Sequence, residues 1–66
     1  MDCKEIGKRL SELRGRKSQS DVSKALGISV SALSMYECGN RIPRDEIKVR
    51  ISKYYNKSIE DIFYSE

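Results

Sequence analysis

Serine hydroxyls and two cysteine thiols are the side chains of this sequence to consider first as nucleophiles or metal ligands. The 66 residues include no histidine, and the two cysteines, Cys3 and Cys38, do not form a Cys-x-x-Cys pair. A metal site therefore lacks a recognisable ligand set, and a serine nucleophile would lack a histidine to activate it. We predict a protein without enzymatic activity, metal ion, cofactor or small-molecule substrate, and we expect both thiols to be reduced and structural.

The charged side chains are unevenly distributed along the chain. There are 13 lysines and arginines against 10 aspartates and glutamates, which gives a net charge of +3. Residues 1–33 hold seven bases and four acids, whereas residues 34–66 hold six of each. A basic surface favours an anionic partner, and an acidic one disfavours it. We expect the N-terminal half to face such a partner and the acidic C-terminal end to point away from it.

Capping signals divide the chain into short elements that would position these groups. At several points an aspartate or serine is followed three residues later by an acidic residue, and glycines stand where helices would end. Between these signals, apolar residues recur at helical spacing. The predicted helices cover about residues 3–14, 19–26, 30–38 and 45–55, with a short fifth helix around Ile59, Ile62 and Phe63. No strand is predicted, so the expected fold class is all-α with five short helices.

The second and third predicted helices have the spacing of a helix-turn-helix unit. Counted from Gln19 as the first residue, Ser23 is the fifth, Gly27 the ninth, Leu33 the fifteenth and Tyr36 the eighteenth. The fifth residue must be small because the helices cross there, the ninth should tolerate a positive φ, and the last two fill the wedge between the helices. Such a unit lays its second helix in the major groove of DNA.

Several motifs, in order along nearly the whole chain, resemble those of a known family. They are Ser18-Gln19, Leu26-Gly27-Ile28-Ser29, Tyr36-Glu37-Cys38-Gly39, Arg41 with Pro43, and Ser58-Ile59-Glu60-Asp61-Ile62-Phe63. On these residues the sequence resembles the small lambda-repressor-like and Cro-like helix-turn-helix regulators, the XRE family. The resemblance implies five helices, double-stranded DNA as the ligand, a homodimer on a palindromic operator, and transcriptional control without enzymatic activity.

The resemblance also implies roles for individual residues. The positions that match base-reading residues are Val30, Ser31, Ser34 and Met35. The positions suited to phosphate contacts are Gln19, Asn40, Arg41 and Arg44. Glu37 matches a family acid that pairs with an arginine of the first helix, and Arg14 is the expected partner here. Because Val30 and Met35 cannot form bidentate hydrogen bonds to bases, we expect readout to rely on thymine methyl groups, serine hydroxyls and DNA shape.

Size and polarity set the remaining expectations. A chain of 7.6 kDa with no long apolar run predicts a single domain over residues 1–66, located in the cytoplasm and not in a membrane. A small core gains from a partner subunit, so we predict a homodimer. Apolar side chains at the acidic end suggest its interface, namely Ile59, Phe63 and Tyr64. The function predicted is that of a DNA-binding repressor; an antitoxin-like or anti-repressor protein-interaction module on the same fold is the alternative.

Overall fold

A computed structural model describes residues 2–65, and this part of the chain is helical without a strand. The helices are α1 (Cys3–Arg14), α2 (Gln19–Leu26), α3 (Val30–Glu37), α4 (Asp45–Tyr55) and α5 (Glu60–Tyr64). The last of these is a single turn with π-helical winding. The predicted all-α fold with five short helices is confirmed, and α3 ends at Glu37 rather than at about residue 38. None of the helices between residues 2 and 65 has the length and the apolar composition that a membrane-spanning segment requires.

Local hydrogen bonds explain where the helices begin and end. The Asp2 carboxylate accepts from the amide of Lys4 at 3.0 Å, and the Ser18 and Ser29 hydroxyls accept at 3.0 Å from amides three residues further along. These caps satisfy amides that have no partner within the helix. Gly27 ends α2 with φ 72° and Asn56 ends α4 with φ 55°, both in the left-handed region that stops a helix.

One hydrophobic core joins all five helices. Its buried members are Ile6, Leu10, Val22, Leu26, Leu33, Tyr36, Ile47, Ile51, Ile62 and Phe63. The helix α3 packs against α1 and α2, α4 packs against α2, and α5 packs against α1. The α3 helix therefore lies on a scaffold formed by its two predecessors in the chain.

Two basic side chains fasten α5 to the rest of the fold. The Arg9 guanidinium donates to the carbonyl oxygen of Ile62 at 2.9 Å and to that of Ser65. The Lys48 ammonium donates to the Tyr64 hydroxyl at 3.0 Å and lies over the Phe63 ring, 5.6 Å from its centroid. Each contact combines charge with a polar or aromatic acceptor, so the C-terminal turn is held from α1 and from α4.

The burial of Phe63 corrects one sequence-based expectation. Its side chain is 1% exposed and belongs to the core, so it cannot contribute contact area to a surface interface. Ile59 is partly buried against the same core, and Tyr64 is 54% exposed. The aromatic ring at position 63 fills the space between α5 and its neighbours because a short chain has few large apolar side chains to build a core.

Candidate nucleic-acid interface

The α2 and α3 helices meet through the short turn Gly27-Ile28-Ser29. At their crossing, Ser23 is 3% exposed, and its hydroxyl donates to the carbonyl of Ser20 at 3.0 Å. The Ile28 amide donates to the Ser23 carbonyl at 3.0 Å, which ties the turn to the end of α2. A small side chain lets the helices approach, and its hydroxyl is satisfied within its own helix. The geometry is that of a helix-turn-helix unit.

The α3 helix has a buried face and an exposed face. Leu33 is 1% exposed and Tyr36 is 6% exposed, and both belong to the core. The opposite face carries the four predicted base-reading residues, which are Val30, Ser31, Ser34 and Met35. Ser31 is exposed, Ser34 is half-buried, and the two apolar side chains are 44% and 45% exposed. Because their spacing is i, i+1, i+4 and i+5, these four side chains share one side of a helix with 3.6 residues per turn.

A hydrogen-bonded cluster holds the C-terminal end of α3. The Arg14 guanidinium donates to the Glu37 carboxylate from Nε at 2.8 Å and from Nη2 at 3.0 Å. Gln19 Nε2 donates to the same carboxylate at 3.0 Å. The side chain of Glu37 is 5% exposed and that of Arg14 is 20% exposed. The hydrogen bond to Glu37 raises the pKa of Arg14 above its usual value.

Through this cluster Glu37 links α3 to both α1 and the first residue of α2. The Arg14 guanidinium also donates to the Lys17 carbonyl at 2.6 Å, which fixes the turn between α1 and α2. The side-chain amide of Gln19 has two N–H groups, so one remains for a further acceptor after the bond to Glu37. The predicted pair of Arg14 and Glu37 is thus brought together in the structure, with Gln19 as a third member.

A tyrosine hydroxyl lies close to this cluster. Tyr55 Oη is buried and has no hydrogen-bond partner among the described residues. Burial, followed by the negative charge of Glu37, raises the pKa of Tyr55 to about 12. The neutral phenol is therefore the form that this position stabilises.

The remaining predicted contact residues lie in the segment that follows α3. Asn40, Arg41 and Arg44 are all exposed, and the amide of Asn40 donates to the carbonyl of Met35 at 3.0 Å. Cys38 is the C-cap residue of α3, and its thiol is free and exposed rather than buried and structural. Exposed guanidinium groups beside an exposed helix face are suited to an anionic ligand.

Two glycines determine how closely α1 approaches the end of α3: Gly39, which belongs to one of the family motifs, and Gly7, which the sequence analysis did not single out. A Cβ atom at Gly7 would lie 2.9 Å from the Glu37 carbonyl carbon and 2.9 Å from the Gly39 nitrogen. A Cβ atom at Gly39 would lie 2.9 Å from the Lys4 Cα, and Gly39 also has φ 76°. A glycine inside a helical pattern, as at Gly7, is the signal that could have revealed this contact.

Comparison with known proteins agrees with this geometry. A family model described as Helix-turn-helix matches residues 8–62, which run from α1 into α5. Neither the curated proteins nor the solved structures gave a significant match. The match covers most of the chain and includes the unit formed by α2 and α3, the buried wedge residues and the exposed face of α3. The chain therefore belongs to the helix-turn-helix family of Cro-like and lambda-repressor-like (XRE) DNA-binding regulators.

Proposed function

We propose that this DNA-binding protein is a transcriptional repressor that binds a palindromic operator as a homodimer. The observation that carries the proposal is the exposed face of α3, whose opposite face is locked into the core. In a helix-turn-helix protein, such a face lies in the major groove and contacts base edges. The base-reading residues in this proposal are Val30, Ser31, Ser34 and Met35.

Phosphate contacts on either side of α3 would orient it in the groove. Gln19 stands at the first residue of α2, where backbone amides also point outwards, and its second side-chain N–H is available. Asn40, Arg41 and Arg44 are exposed beyond the other end of α3. Contacts of this kind fix register and supply affinity that does not depend on sequence.

The size of the folded unit supports binding as a dimer. The described residues extend 28 × 22 × 22 Å, whereas successive major grooves on one side of B-DNA are about 34 Å apart. One copy therefore spans a single half-site, and two copies related by twofold symmetry would read an inverted repeat. We assign the interface to the surface of α5 and the residue before it, through Tyr64 and Ile59, because Phe63 is buried.

Repression is the simplest regulatory outcome for such a domain. A dimer on an operator that overlaps a promoter excludes other proteins from that DNA by occupying it. This mode of action needs only the DNA-bound helix-turn-helix unit and no catalytic site. A transcription assay with the operator placed over a promoter would show reduced transcript, and an increase would contradict repression.

Selection from a random-sequence duplex pool at about 150 mM salt tests the proposed function, since specificity has meaning only at a stated ionic strength. We expect enrichment of an inverted repeat with half-site centres about one helical turn apart. Enrichment of a single half-site would contradict binding as a dimer but not sequence-specific binding. Absence of any enriched sequence would contradict sequence-specific binding and favour the protein-interaction module.

A further inference from the structure

The exposed face of α3 offers no side chain that can form paired hydrogen bonds to one base. Arginine, lysine, asparagine and glutamine recognise guanine or adenine through such pairs, and none of them occurs between Val30 and Glu37. The only charged side chain of the helix is Glu37, whose carboxylate could otherwise accept from the cytosine amino group. It is 5% exposed and already accepts from Arg14 and Gln19.

Two apolar side chains are the largest groups that this face presents. Val30 and Met35 are 44% and 45% exposed and lie on the same side of the helix. In the major groove the apolar feature of a base pair is the methyl group at C5 of thymine. Contact between these side chains and such a methyl group removes apolar surface from water on both partners.

The same methyl group, at the same C5 position, is present on 5-methylcytosine and absent from cytosine. Thymine and 5-methylcytosine differ at the neighbouring position of the ring, where thymine has a hydrogen-bond acceptor and 5-methylcytosine, like cytosine, has an amino donor. Ser31 and Ser34 are the polar side chains on this face of α3, and a hydroxyl rotates to donate or to accept. The face therefore has groups that detect the methyl but none that must reject 5-methylcytosine.

We propose that α3 reads the C5 methyl group of pyrimidines rather than the identity of the base, so that DNA binding increases when cytosine in the site is methylated at C5. This inference rests on the proposed sequence-specific binding of DNA. It gives the protein a further property, in which operator occupancy responds to cytosine methylation. Methylation of the DNA itself would act as the signal, with no ligand pocket required.

The test uses the duplexes enriched from the random pool and compares four forms of each. At every enriched T·A pair, the pyrimidine is thymine, uracil, cytosine opposite guanine, or 5-methylcytosine opposite guanine. We expect uracil to weaken binding by about fourfold for each contacted methyl, the effect of one buried methyl-sized group. We expect 5-methylcytosine to bind within about twofold of thymine, and unmethylated cytosine to bind as weakly as uracil.

Variants separate direct contact from changes in DNA stiffness. Met35→Ala and Val30→Ala preserve the helix, because alanine is a good helix former and both positions are exposed. In these variants the ratio of the affinity for thymine to the affinity for uracil should fall towards one. Val49→Ala is the matched control, because Val49 is 39% exposed but lies on α4. It should leave the ratio unchanged.

Each outcome is decisive. If sequences are enriched but uracil binds as well as thymine, or 5-methylcytosine as weakly as cytosine, methyl readout is wrong while sequence-specific binding stands. A thymine-to-uracil ratio that survives both alanine substitutions assigns the effect to DNA shape and also overturns the inference. If no sequence is enriched, the proposed function itself fails.

Discussion

The contact between α1 and the end of α3 at Gly7 gives a prediction in which two effects have opposite signs. In an exposed helix, Gly→Ala stabilises by about 0.8–1 kcal/mol because alanine has the higher helix propensity. At Gly7, the new Cβ would lie 2.9 Å from both the Glu37 carbonyl carbon and the Gly39 nitrogen, and closer still to the Glu37 carbonyl oxygen. Optimal separation between carbon atoms is about 3.5–4.0 Å. Both neighbours are backbone, so neither can rotate away.

Relief of this overlap requires α1 to move away from α3 by a substantial part of an ångström. That movement would loosen the packing of Ile6 and Leu10, which are 2% and 1% exposed, within the shared core. Overpacking of this kind costs about 1–3 kcal/mol and occasionally more. After the propensity gain of about 1 kcal/mol is subtracted from the upper part of that range, about 2–3 kcal/mol, we expect Gly7→Ala to lower the free energy of unfolding by about 1–2 kcal/mol. In a domain this small, the melting temperature would fall by about 4–16 °C.

Urea unfolding followed by far-ultraviolet circular dichroism measures this change, with Lys8 as the matched site. Lys8 is the next residue of α1 and is exposed, so Lys8→Ala should be more stable than Lys8→Gly by about 1 kcal/mol. At position 7 the order of stability should be reversed, so that the protein with glycine is more stable than Gly7→Ala. An alanine at position 7 that leaves the unfolding midpoint unchanged or raises it would refute the close-approach argument.

The remaining predictions concern the ion pair, the exposed arginines and the buried tyrosine. Arg14→Met leaves the Glu37 carboxylate, 5% exposed, without two charge-assisted hydrogen bonds; we expect urea unfolding to show a loss of about 2–3 kcal/mol, and a loss below about 0.5 kcal/mol would contradict this. Arg41→Ala should reduce the slope of log affinity against log salt by about 0.9 for all sequences, whereas Lys57→Ala should not; an altered base preference with an unaltered slope would contradict the phosphate role. Tyr55→Phe removes a buried hydroxyl that has no hydrogen-bond partner within residues 2–65, so stability at pH 7 should be unchanged or higher by up to about 1 kcal/mol. The pKa of Tyr55 is about 12 in the folded state and 10.0 in the unfolded state. Wild type should therefore lose stability relative to Tyr55→Phe as the pH rises from 10 to 12. A difference in unfolding free energy that stays constant over this range would contradict the raised pKa of Tyr55.

Helix positions in this protein could be predicted from the sequence because their signals are local. The Ser18 hydroxyl accepts from the Asp21 amide and the Ser29 hydroxyl accepts from the Ala32 amide, each within four residues. The left-handed conformation of Gly27 is likewise a property of one residue. Interactions at short sequence separation leave their pattern in the sequence itself, so the bounds of α1, α2 and α4 agree with those expected.

Contacts between residues that are distant in the sequence are harder to predict from it. The pairing of Arg14 with Glu37 came from family resemblance, because nothing in the charge pattern distinguishes Arg14 from the other bases of α1. The third member, Gln19, was expected at a phosphate and also donates to Glu37. The helical spacing of Phe63 suits a core residue, and its place in the apolar group near the acidic end also suits an interface, because such a residue looks the same in sequence whether it faces the core or a partner. Burial depends on the whole fold, and it was the fold that placed Phe63 in the core.

If α3 reads DNA as we propose, its positioning explains how a face without strong hydrogen-bonding side chains could still distinguish one site from another. At its start, the helix is held by the Ser29 cap and by the turn that Gly27 allows. At its end, Glu37 is bound to Arg14 and Gln19, and the backbone lies against Gly7. A contact between methyl groups has little directionality, so it discriminates between bases only if the side chain is brought to one place in the groove. Under the proposed readout, rigid anchoring at both ends would also reduce the ordering cost of binding, so that a few weak apolar contacts, added to phosphate contacts, would suffice to distinguish sites.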